Sequence, residues 1–209
     1  MQPVSKALDK AIFLDKDGTL IPDIPFNVDA TLIRLEDESV EGLRLLSRAG
    51  FKLFVVSNQP GVARGLFTVK QLENAWNKII ELLGEHEIKM TGFYYCPHMK
   101  DGKVEPYNMD CTCRKPLPGL LHRAAVDHSI DLTRSWMIGD ILHDVEAGNR
   151  AGCKSILIDN GNETEWITNE FRQPYGIVKN INEAAQLILS QTGRTTRQLS
   201  GLSGIRKSL

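Results

Sequence analysis

Two carboxylates stand one residue apart after the first strongly apolar segment of the chain. The run AIFL at 11–14 is followed directly by Asp15, Lys16, Asp17 and Gly18. In an extended chain Asp15 and Asp17 point the same way, so both carboxylates can converge on one site. Adjacent anions repel unless a hard cation neutralises them, and Mg²⁺ prefers oxygen ligands of this kind. The spacing predicts a magnesium site, with an Asp-Gly surface turn as the alternative.

Further polar side chains follow two later apolar segments, LFVV at 53–56 and SWMIG at 135–139. Ser57 and Asn58 come directly after the first of these segments, and Asp140 comes directly after the second. In an open parallel sheet, ligands bind beyond the carboxyl ends of the strands, which share one edge. These side chains are therefore expected beside the two carboxylates that follow the first segment.

A second group joins sulfur and imidazole ligands in the segment CPHMKDGKVEPYNMDCTC at 96–113. Three of the chain's four cysteines lie there, and the ligands form two pairs, Cys96 with His98 and Cys111 with Cys113. Two such pairs supply the four ligands of tetrahedral Zn²⁺, and a filled shell leaves no position for water. The prediction is a structural zinc site, with reduced free thiols or a redox disulfide as alternatives.

This zinc loop, residues 96–113, runs directly into two positive charges, Arg114 and Lys115. A polar loop of this length would otherwise be mobile, and catalysis tolerates little misplacement of a charged group. Fixing Cys113 on a metal would also fix the two side chains that follow it. We therefore expect the metal to hold both cations in place, with simple stabilisation of the fold as the alternative.

Six short apolar segments alternate with segments that have helical periodicity. Several of the apolar runs contain no polar residue, as expected for strands that are buried on both faces. The predicted strands are 11–14, 53–57, 92–95, 135–139, 155–158 and 175–178. The predicted helices are 38–49, 68–86, 117–128, 141–151 and 181–190. This alternation predicts an α/β fold, a Rossmann-like three-layer sandwich with a central parallel sheet.

The chain has 209 residues, of which 42% are apolar and 24% are charged, and its formal net charge is −1. This composition is typical of a soluble globular protein and gives no global attraction to nucleic acid or to a membrane. Charges interrupt the N-terminal segment where a signal peptide needs an apolar core, so a cytoplasmic location is expected. The protein is expected to be a monomer or a weak homo-oligomer. Residues 1–190 are expected to form one domain, and the basic, Ser- and Gly-rich segment 191–209 a flexible tail.

Four motifs occur in order along the chain: FLDKDGT, VVSN, the lysine of CRKP, and GDILHD. Together they resemble the four motifs of the haloacid dehalogenase-like phosphohydrolases, over roughly residues 11–160. The resemblance implies that Asp15 attacks phosphorus to form an aspartyl-phosphate and that Asp17 serves as general acid and base. It also implies that Ser57 holds a phosphoryl oxygen and that Lys115 offsets charge on the transferring group.

The same resemblance implies a magnesium ion bound by Asp15, by the backbone carbonyl of Asp17 and by Asp140. Asp144 is expected to orient these ligands or to reach the metal through water, and the alternative is a favourable charge at a helix N-terminus. The spacing from Asp17 to Ser57 leaves too little chain for a large cap domain. A minimal cap and a pocket open to a small sugar phosphate are therefore expected.

Within this family, the pattern CPH…CTCRKP resembles a branch that contains heptose bisphosphate phosphatases and histidinol-phosphate phosphatases. The segment SNQPGVARGLFT at 57–68 resembles the corresponding segment of the heptose enzymes. This resemblance implies that Arg64 binds the phosphate that is not cleaved. Arg114 and Asn58 are further expected substrate contacts. The implied reaction is Mg²⁺-dependent removal of the C7 phosphate of D-glycero-D-manno-heptose 1,7-bisphosphate. A histidinol-phosphate phosphatase, a polynucleotide 3′-phosphatase-like enzyme and a non-catalytic zinc-stabilised binding module remain the alternatives.

Overall fold

The computed structural model describes residues 7–191, so the predicted tail lies outside the described residues from residue 192 onward. The strands are β1 (Lys10–Leu14), β2 (Phe51–Asn58), β3 (Gly92–Cys96), β4 (Trp136–Gly139), β5 (Lys154–Ile158) and β6 (Gly176–Val178). The α-helices are α1 (Ser39–Arg48), α2 (Gly61–Arg64), α3 (Val69–Gly84), α4 (Gly119–His128), α5 (Leu142–Ala151) and α6 (Ile181–Gln191). Two 3₁₀ helices, Ala30–Leu32 and Leu132–Arg134, complete the described part. None of the described helices combines the length and apolar character needed to cross a bilayer.

The strands form one parallel sheet in the order β3-β2-β1-β4-β5-β6. Strand β1 lies in the interior of the sheet, with β2 on one side and β4 on the other. The direction of strand addition reverses at this point, and open α/β sheets bind ligands beyond the carboxyl ends of the strands at such a reversal. The predicted Rossmann-like sandwich is confirmed, and its topology places the expected site after β1 and β4.

Successive residues of β1 pack alternately into two cores, one on each face of the sheet. Ile12 and Leu14 belong to a core that includes residues of α1, α3 and α6. Ala11 and Phe13 belong to a second core, with residues of α4 and α5. Because successive strand residues face opposite sides, a strand covered by helices on both faces must be apolar throughout. The unbroken run after Lys10 meets this requirement.

Three long connections begin at the carboxyl edge of the sheet: 15–38 after β1, 97–118 after β3 and 159–175 after β5. Within the described residues, these connections contain one 3₁₀ helix and no α-helix. The observed connections agree with the predicted minimal cap. Together with the turn after β2, they supply the walls of the site.

Candidate active site

A cavity of about 340 Å³ opens at the carboxyl ends of the central strands. Six of the predicted site residues line it: Asp15, Asp17, Ser57, Asn58, Lys115 and Asp140. Five of them lie at the end of a buried strand or in the turn that follows it, and the lysine follows the zinc loop. The parallel sheet has therefore gathered the ends of three strands that are widely separated in the sequence, as the strand-end pattern predicts, and the segment after the zinc loop adds the lysine.

Lys115 lies between two carboxylates. Its Nζ atom is 2.6 Å from Asp15 Oδ1 and 2.6 Å from Asp144 Oδ1, and only 3% of the residue is exposed. Burial alone would lower the pKa of this ammonium, but the charges of Asp144 and Asp15 outweigh burial and hold the pKa above its usual range. Lys115 is therefore a permanent positive charge beside an oxygen of Asp15.

Three buried carboxylates, from Asp15, Asp140 and Asp144, meet beside this lysine with ligand oxygens within 4.8 Å of one another. Burial, followed by the charges of Asp15 and Asp144, raises the pKa of Asp140 to about 8. Burial also raises the pKa of Asp144 to about 6, although the Lys115 charge opposes the shift. A divalent cation would favour the ionised form of these groups and remove their repulsion. The cluster of oxygen donors therefore fits Mg²⁺.

The turn after Asp17 passes so close to this cluster that a side chain would collide with it. Gly18 has a φ of +79°, which favours glycine. A Cβ atom built on it would lie 2.1 Å from Asp140 Oδ2 and 2.5 Å from Asn162 Nδ2. Both distances are far shorter than van der Waals contact. Gly18 thus allows the backbone after β1 to approach Asp140 directly.

Both carboxylate oxygens of Asp17 accept hydrogen bonds from side chains to which the sequence reasoning gave no role. Lys16 Nζ donates to Oδ1, and Gln59 Nε2 donates to Oδ2 at 2.9 Å. Gln59 Nε2 also donates to Ser57 Oγ at 2.9 Å and so connects the ends of β1 and β2. Burial raises the pKa of Asp17 despite the opposing Lys16 charge, and the Asp15 charge adds to the rise. Gln59 directly follows β2, so the strand-end pattern that identified Ser57 and Asn58 could also have identified this residue.

The four predicted zinc ligands also come together. Cys111 Sγ is 3.5 Å from Cys96 Sγ and 3.4 Å from Cys113 Sγ. His98 Nδ1 lies 3.7 Å from Cys96 Sγ and 3.3 Å from Cys113 Sγ. A tetrahedral ion with bonds of about 2.3 Å separates its ligand atoms by roughly 3.8 Å, so the cluster is close to the size that zinc needs.

The electrostatics of this cluster also suit a metal. The hydrogen bond with Cys96 lowers the pKa of Cys113 to about 5, and contacts with His98 and Cys111 act in the same direction. The same hydrogen bond, together with burial, raises the pKa of Cys96, so the pair favours one thiolate, on Cys113, in the absence of a metal. A thiolate is the form of cysteine that binds metals. The Cys/His cluster can therefore hold a zinc ion.

The two predicted distal arginines border the cavity without lining it. The guanidinium of Arg64 lies over the Phe26 ring at 5.2 Å, and its Nε donates to Met99 Sδ at 3.1 Å. Phe26 itself lines the cavity. Arg114 lines a second cavity of about 410 Å³, which Lys115 also lines. Within the described residues, Arg114 Nη1 is buried without a hydrogen-bond partner.

Comparison with known proteins identifies the family of the chain. Residues 112–184 match a family model described as HAD-hydrolase-like, where HAD stands for haloacid dehalogenase. The D-glycero-beta-D-manno-heptose-1,7-bisphosphate 7-phosphatase of Escherichia coli K12 is 35% identical over 185 residues, covering 84% of this chain and 97% of that protein. The protein of the same name from Haemophilus influenzae is 39% identical over 155 residues, covering 74% and 84% of the two chains.

A solved structure extends the comparison to three dimensions. The D,D-heptose 1,7-bisphosphate phosphatase of B. bronchiseptica, crystallised with magnesium and phosphate, matches with a TM-score of 0.71 and 26% identity. The match covers 87% of this chain and 99% of that chain. The agreement thus extends over nearly the whole length of the relatives. The chain therefore belongs to the haloacid dehalogenase-like hydrolases, in the family of the heptose-1,7-bisphosphate 7-phosphatases.

Proposed function

We propose that this protein is a Mg²⁺-dependent phosphatase that removes the C7 phosphate of D-glycero-D-manno-heptose 1,7-bisphosphate. The observation that carries the proposal is the position of Asp15, whose Oδ1 lies 2.6 Å from the buried ammonium of Lys115. A carboxylate paired with a permanent cation, in a cavity shared with Asp17 and Ser57, suits nucleophilic attack on a phosphate ester. The names of the relatives point to the sugar and to the phosphate that is removed.

In the first half-reaction, an oxygen of Asp15 attacks phosphorus while the bond between phosphorus and the C7 oxygen breaks. Asp17 gives a proton to that oxygen, so the sugar leaves as an alcohol. Ser57 donates a hydrogen bond to a phosphoryl oxygen, and Lys115 offsets the charge on the transferring group. The step leaves an aspartyl-phosphate on Asp15.

In the second half-reaction, Asp17 is a carboxylate and takes a proton from a water molecule as the water oxygen attacks phosphorus. The bond from phosphorus to Asp15 breaks, which releases inorganic phosphate and restores the nucleophile. Gln59 contributes to both half-reactions, because its amide holds Asp17 and Ser57 at the same time. Splitting hydrolysis into two displacements replaces one difficult step with two easier ones.

The magnesium ion would be held by Asp15, by the backbone carbonyl of Asp17 and by Asp140. When bound, it neutralises charge on the phosphoryl oxygens and orients them for in-line attack. Asp144 has a different part in this proposal, because its ion pair with Lys115 keeps the lysine beside the nucleophile.

We infer that the Cys/His cluster binds a structural zinc ion, with Cys96, His98, Cys111 and Cys113 as ligands. The ion would fix the end of the zinc loop two residues before Lys115 and so fix the backbone that carries the lysine. In this proposal the single domain expected for residues 1–190 is the phosphatase domain and includes the zinc loop, whereas the predicted tail lies outside the described residues from residue 192 onward. We expect it to act in the cytoplasm on a small sugar phosphate, as a monomer or weak homo-oligomer, without binding nucleic acid or membranes.

The phosphate that is not cleaved needs its own cations, because an unpaired dianion near a partly buried site is costly. Arg64, the last residue of α2, lies over the ring of Phe26 in the cavity wall, and Arg114 lines the second cavity beside Lys115. Arg114 is the stronger candidate for an anion contact, since its buried Nη1 has no partner among the described residues. Both guanidinium groups can meet two phosphate oxygens at once.

The test is a side-by-side turnover comparison with Mg²⁺ present. The substrates are the heptose 1,7-bisphosphate, histidinol phosphate and a DNA 3′-phosphate. We expect the heptose bisphosphate to have by far the highest kcat/KM, and phosphorus NMR should identify heptose 1-phosphate as the product. Preferred turnover of histidinol phosphate or of the DNA end, or release of the C1 phosphate, would overturn the assignment.

A further inference from the structure

The loop that follows β5 reaches back to the candidate metal ligand Asp140. Asn162, in this loop, lines the cavity and donates from Nδ2 to Asp140 Oδ2 at 2.8 Å. Thr19 Oγ1 donates to the other oxygen, Oδ1, at 3.0 Å. Both oxygens of this buried carboxylate are therefore held by neutral donors from two different loops. Each carboxylate oxygen can accept a second interaction, so a cation can still bind to it.

The loop is itself anchored on both sides of Asn162. Asn160 Nδ2 donates to the carbonyl oxygen of Gly18 at 2.7 Å, within the turn that carries the catalytic aspartates. Glu163 Oε2 accepts from the backbone N–H of Leu142 at 2.6 Å, at the beginning of α5. Asn162 is thus presented to Asp140 by a loop with fixed ends, which makes a well-defined orientation possible.

The same residues fill the space above Gly18, where a Cβ atom would collide with both Asp140 and Asn162. The carboxylate, the amide and the glycine turn are therefore packed as one unit. Rotation of the Asp140 carboxylate would break a hydrogen bond on each side of it. Groups that hold a metal ligand in this way commonly change metal affinity by 10- to 100-fold when they are removed.

We propose that Asn162 is a positioning residue that holds the Asp140 carboxylate in the orientation needed to bind the divalent cation. This inference rests on the proposed function, because it assumes that Asp140 is a magnesium ligand. It assigns a role to a segment, Asp-Asn-Gly-Asn-Glu at 159–163, that lies outside the four sequence motifs. Asn162 does not take part in the chemical steps.

The test measures Mn²⁺ binding directly, by the loss of the electron paramagnetic resonance signal of the free ion, and Mg²⁺ binding by competition. Asn162→Ala should weaken Mn²⁺ binding by about 10- to 100-fold. Asn169→Ala is the matched control, because Asn169 lies in the same connection but accepts from the backbone of Phe171 and Arg172. The control should bind Mn²⁺ as tightly as the wild type does, and zinc content should be unchanged in both variants.

If Asn162→Ala does not fold, as judged by circular dichroism, Asn162→Leu keeps the bulk of the side chain without its donor and carries the same expectation. Equal Mn²⁺ affinity in the wild type and in the folded Asn162 variant would overturn the inference while leaving the magnesium assignment intact. A wild-type protein that binds no Mn²⁺ at all and turns over without Mg²⁺ would overturn the proposed metal site, and the inference with it.

Discussion

Asn58 and Lys115 hydrogen-bond to each other twice, across 57 residues of sequence. The side-chain Nδ2 of Asn58 donates to the Lys115 carbonyl at 3.0 Å, and its Oδ1 accepts from the Lys115 N–H at 2.9 Å. The end of β2 thus holds the lysine backbone directly. Asn58, expected as a substrate contact, has both of its polar atoms committed to this pair.

We predict that Asn58→Ala lowers kcat/KM by roughly 30-fold, because two hydrogen bonds of about 1 kcal/mol each are lost. The same substitution in a Lys115→Ala background should cost little, since the group that Asn58 positions is already absent. A double-mutant cycle with steady-state kinetics measures this coupling. Additive losses would instead indicate that Asn58 contacts the substrate independently of the lysine.

Asp15→Asn should lower kcat by several orders of magnitude, because the amide keeps the shape of the side chain but cannot attack phosphorus. The fold should survive, as measured by circular dichroism and thermal unfolding. Turnover close to the wild-type value would exclude the covalent route.

Metal analysis of protein purified without added zinc should find about one zinc ion per chain. Cys111→Ser should lose the zinc and lower phosphatase activity, because the end of the zinc loop would no longer be fixed. The matched control is Cys153→Ala, which removes a buried thiol that belongs to the core between β1 and α5. The control should retain zinc and turnover, whereas a zinc-free, fully active wild type would contradict the site.

The raised pKa values of Asp140 and Asp144 predict how stability changes with pH when no magnesium is added. These values, about 8 and about 6 in the folded protein, lie above the ordinary value of 3.8. At pH values between the unfolded and the folded pKa of a group, the folded protein binds more protons than the unfolded chain does. The free energy of unfolding therefore falls as the pH rises through this range. These two groups should therefore lower the melting temperature from about pH 4 to about pH 8, and more steeply below about pH 6, where both contribute.

Added Mg²⁺ should remove most of this slope, because a bound cation stabilises the ionised carboxylates. Asp140→Asn should flatten the slope even without the ion, since the group with the highest pKa is then lost. Thermal unfolding over a pH series, with and without Mg²⁺, measures both effects. An identical slope in both conditions would show that these carboxylates do not bind the ion.

Arg64→Ala and Arg114→Ala should each raise the transition-state free energy for the heptose bisphosphate by roughly 2–4 kcal/mol, as expected for the loss of a charge pair. A small monophosphate ester should be affected far less, because it does not reach the distal site. Arg123→Ala, which removes an exposed arginine paired with Asp127 on α4, is the control. Equal losses on both substrates would assign the two arginines to chemistry or folding.

The strands and the site residues at their ends could be predicted because each depends on local sequence. AIFL must be a strand buried on both faces, and a polar residue directly after such a strand must lie at the carboxyl edge. The zinc ligands could likewise be recognised from the sequence alone, because they form two closely spaced pairs, Cys96 with His98 and Cys111 with Cys113.

Other parts of the site depend on contacts that no local pattern contains. In the sequence, Asn160 and Asn162 look like ordinary turn residues. Only the packing of β5 beside β4 brings the loop that carries them to Gly18 and Asp140. The Lys115–Asp144 ion pair is a similar case. A carboxylate in the first turn of a helix is already favoured by the helix dipole, so nothing in the sequence indicates a lysine partner for Asp144. The sequence could suggest these residues only as turn and helix-end groups.

The position of the zinc loop also bears on association between molecules. Strand β3 is the last strand on one side of the sheet, and its final residue is Cys96. A strand in this position has backbone groups that can pair with another chain, and proteins commonly cover or restrain such edges. A metal bound by Cys96 would tie the end of this strand to the loop that folds back to Cys113. Loss of zinc should therefore promote aggregation through β3 as well as lower activity, so colloidal stability in a chelator would report on the metal independently of catalysis.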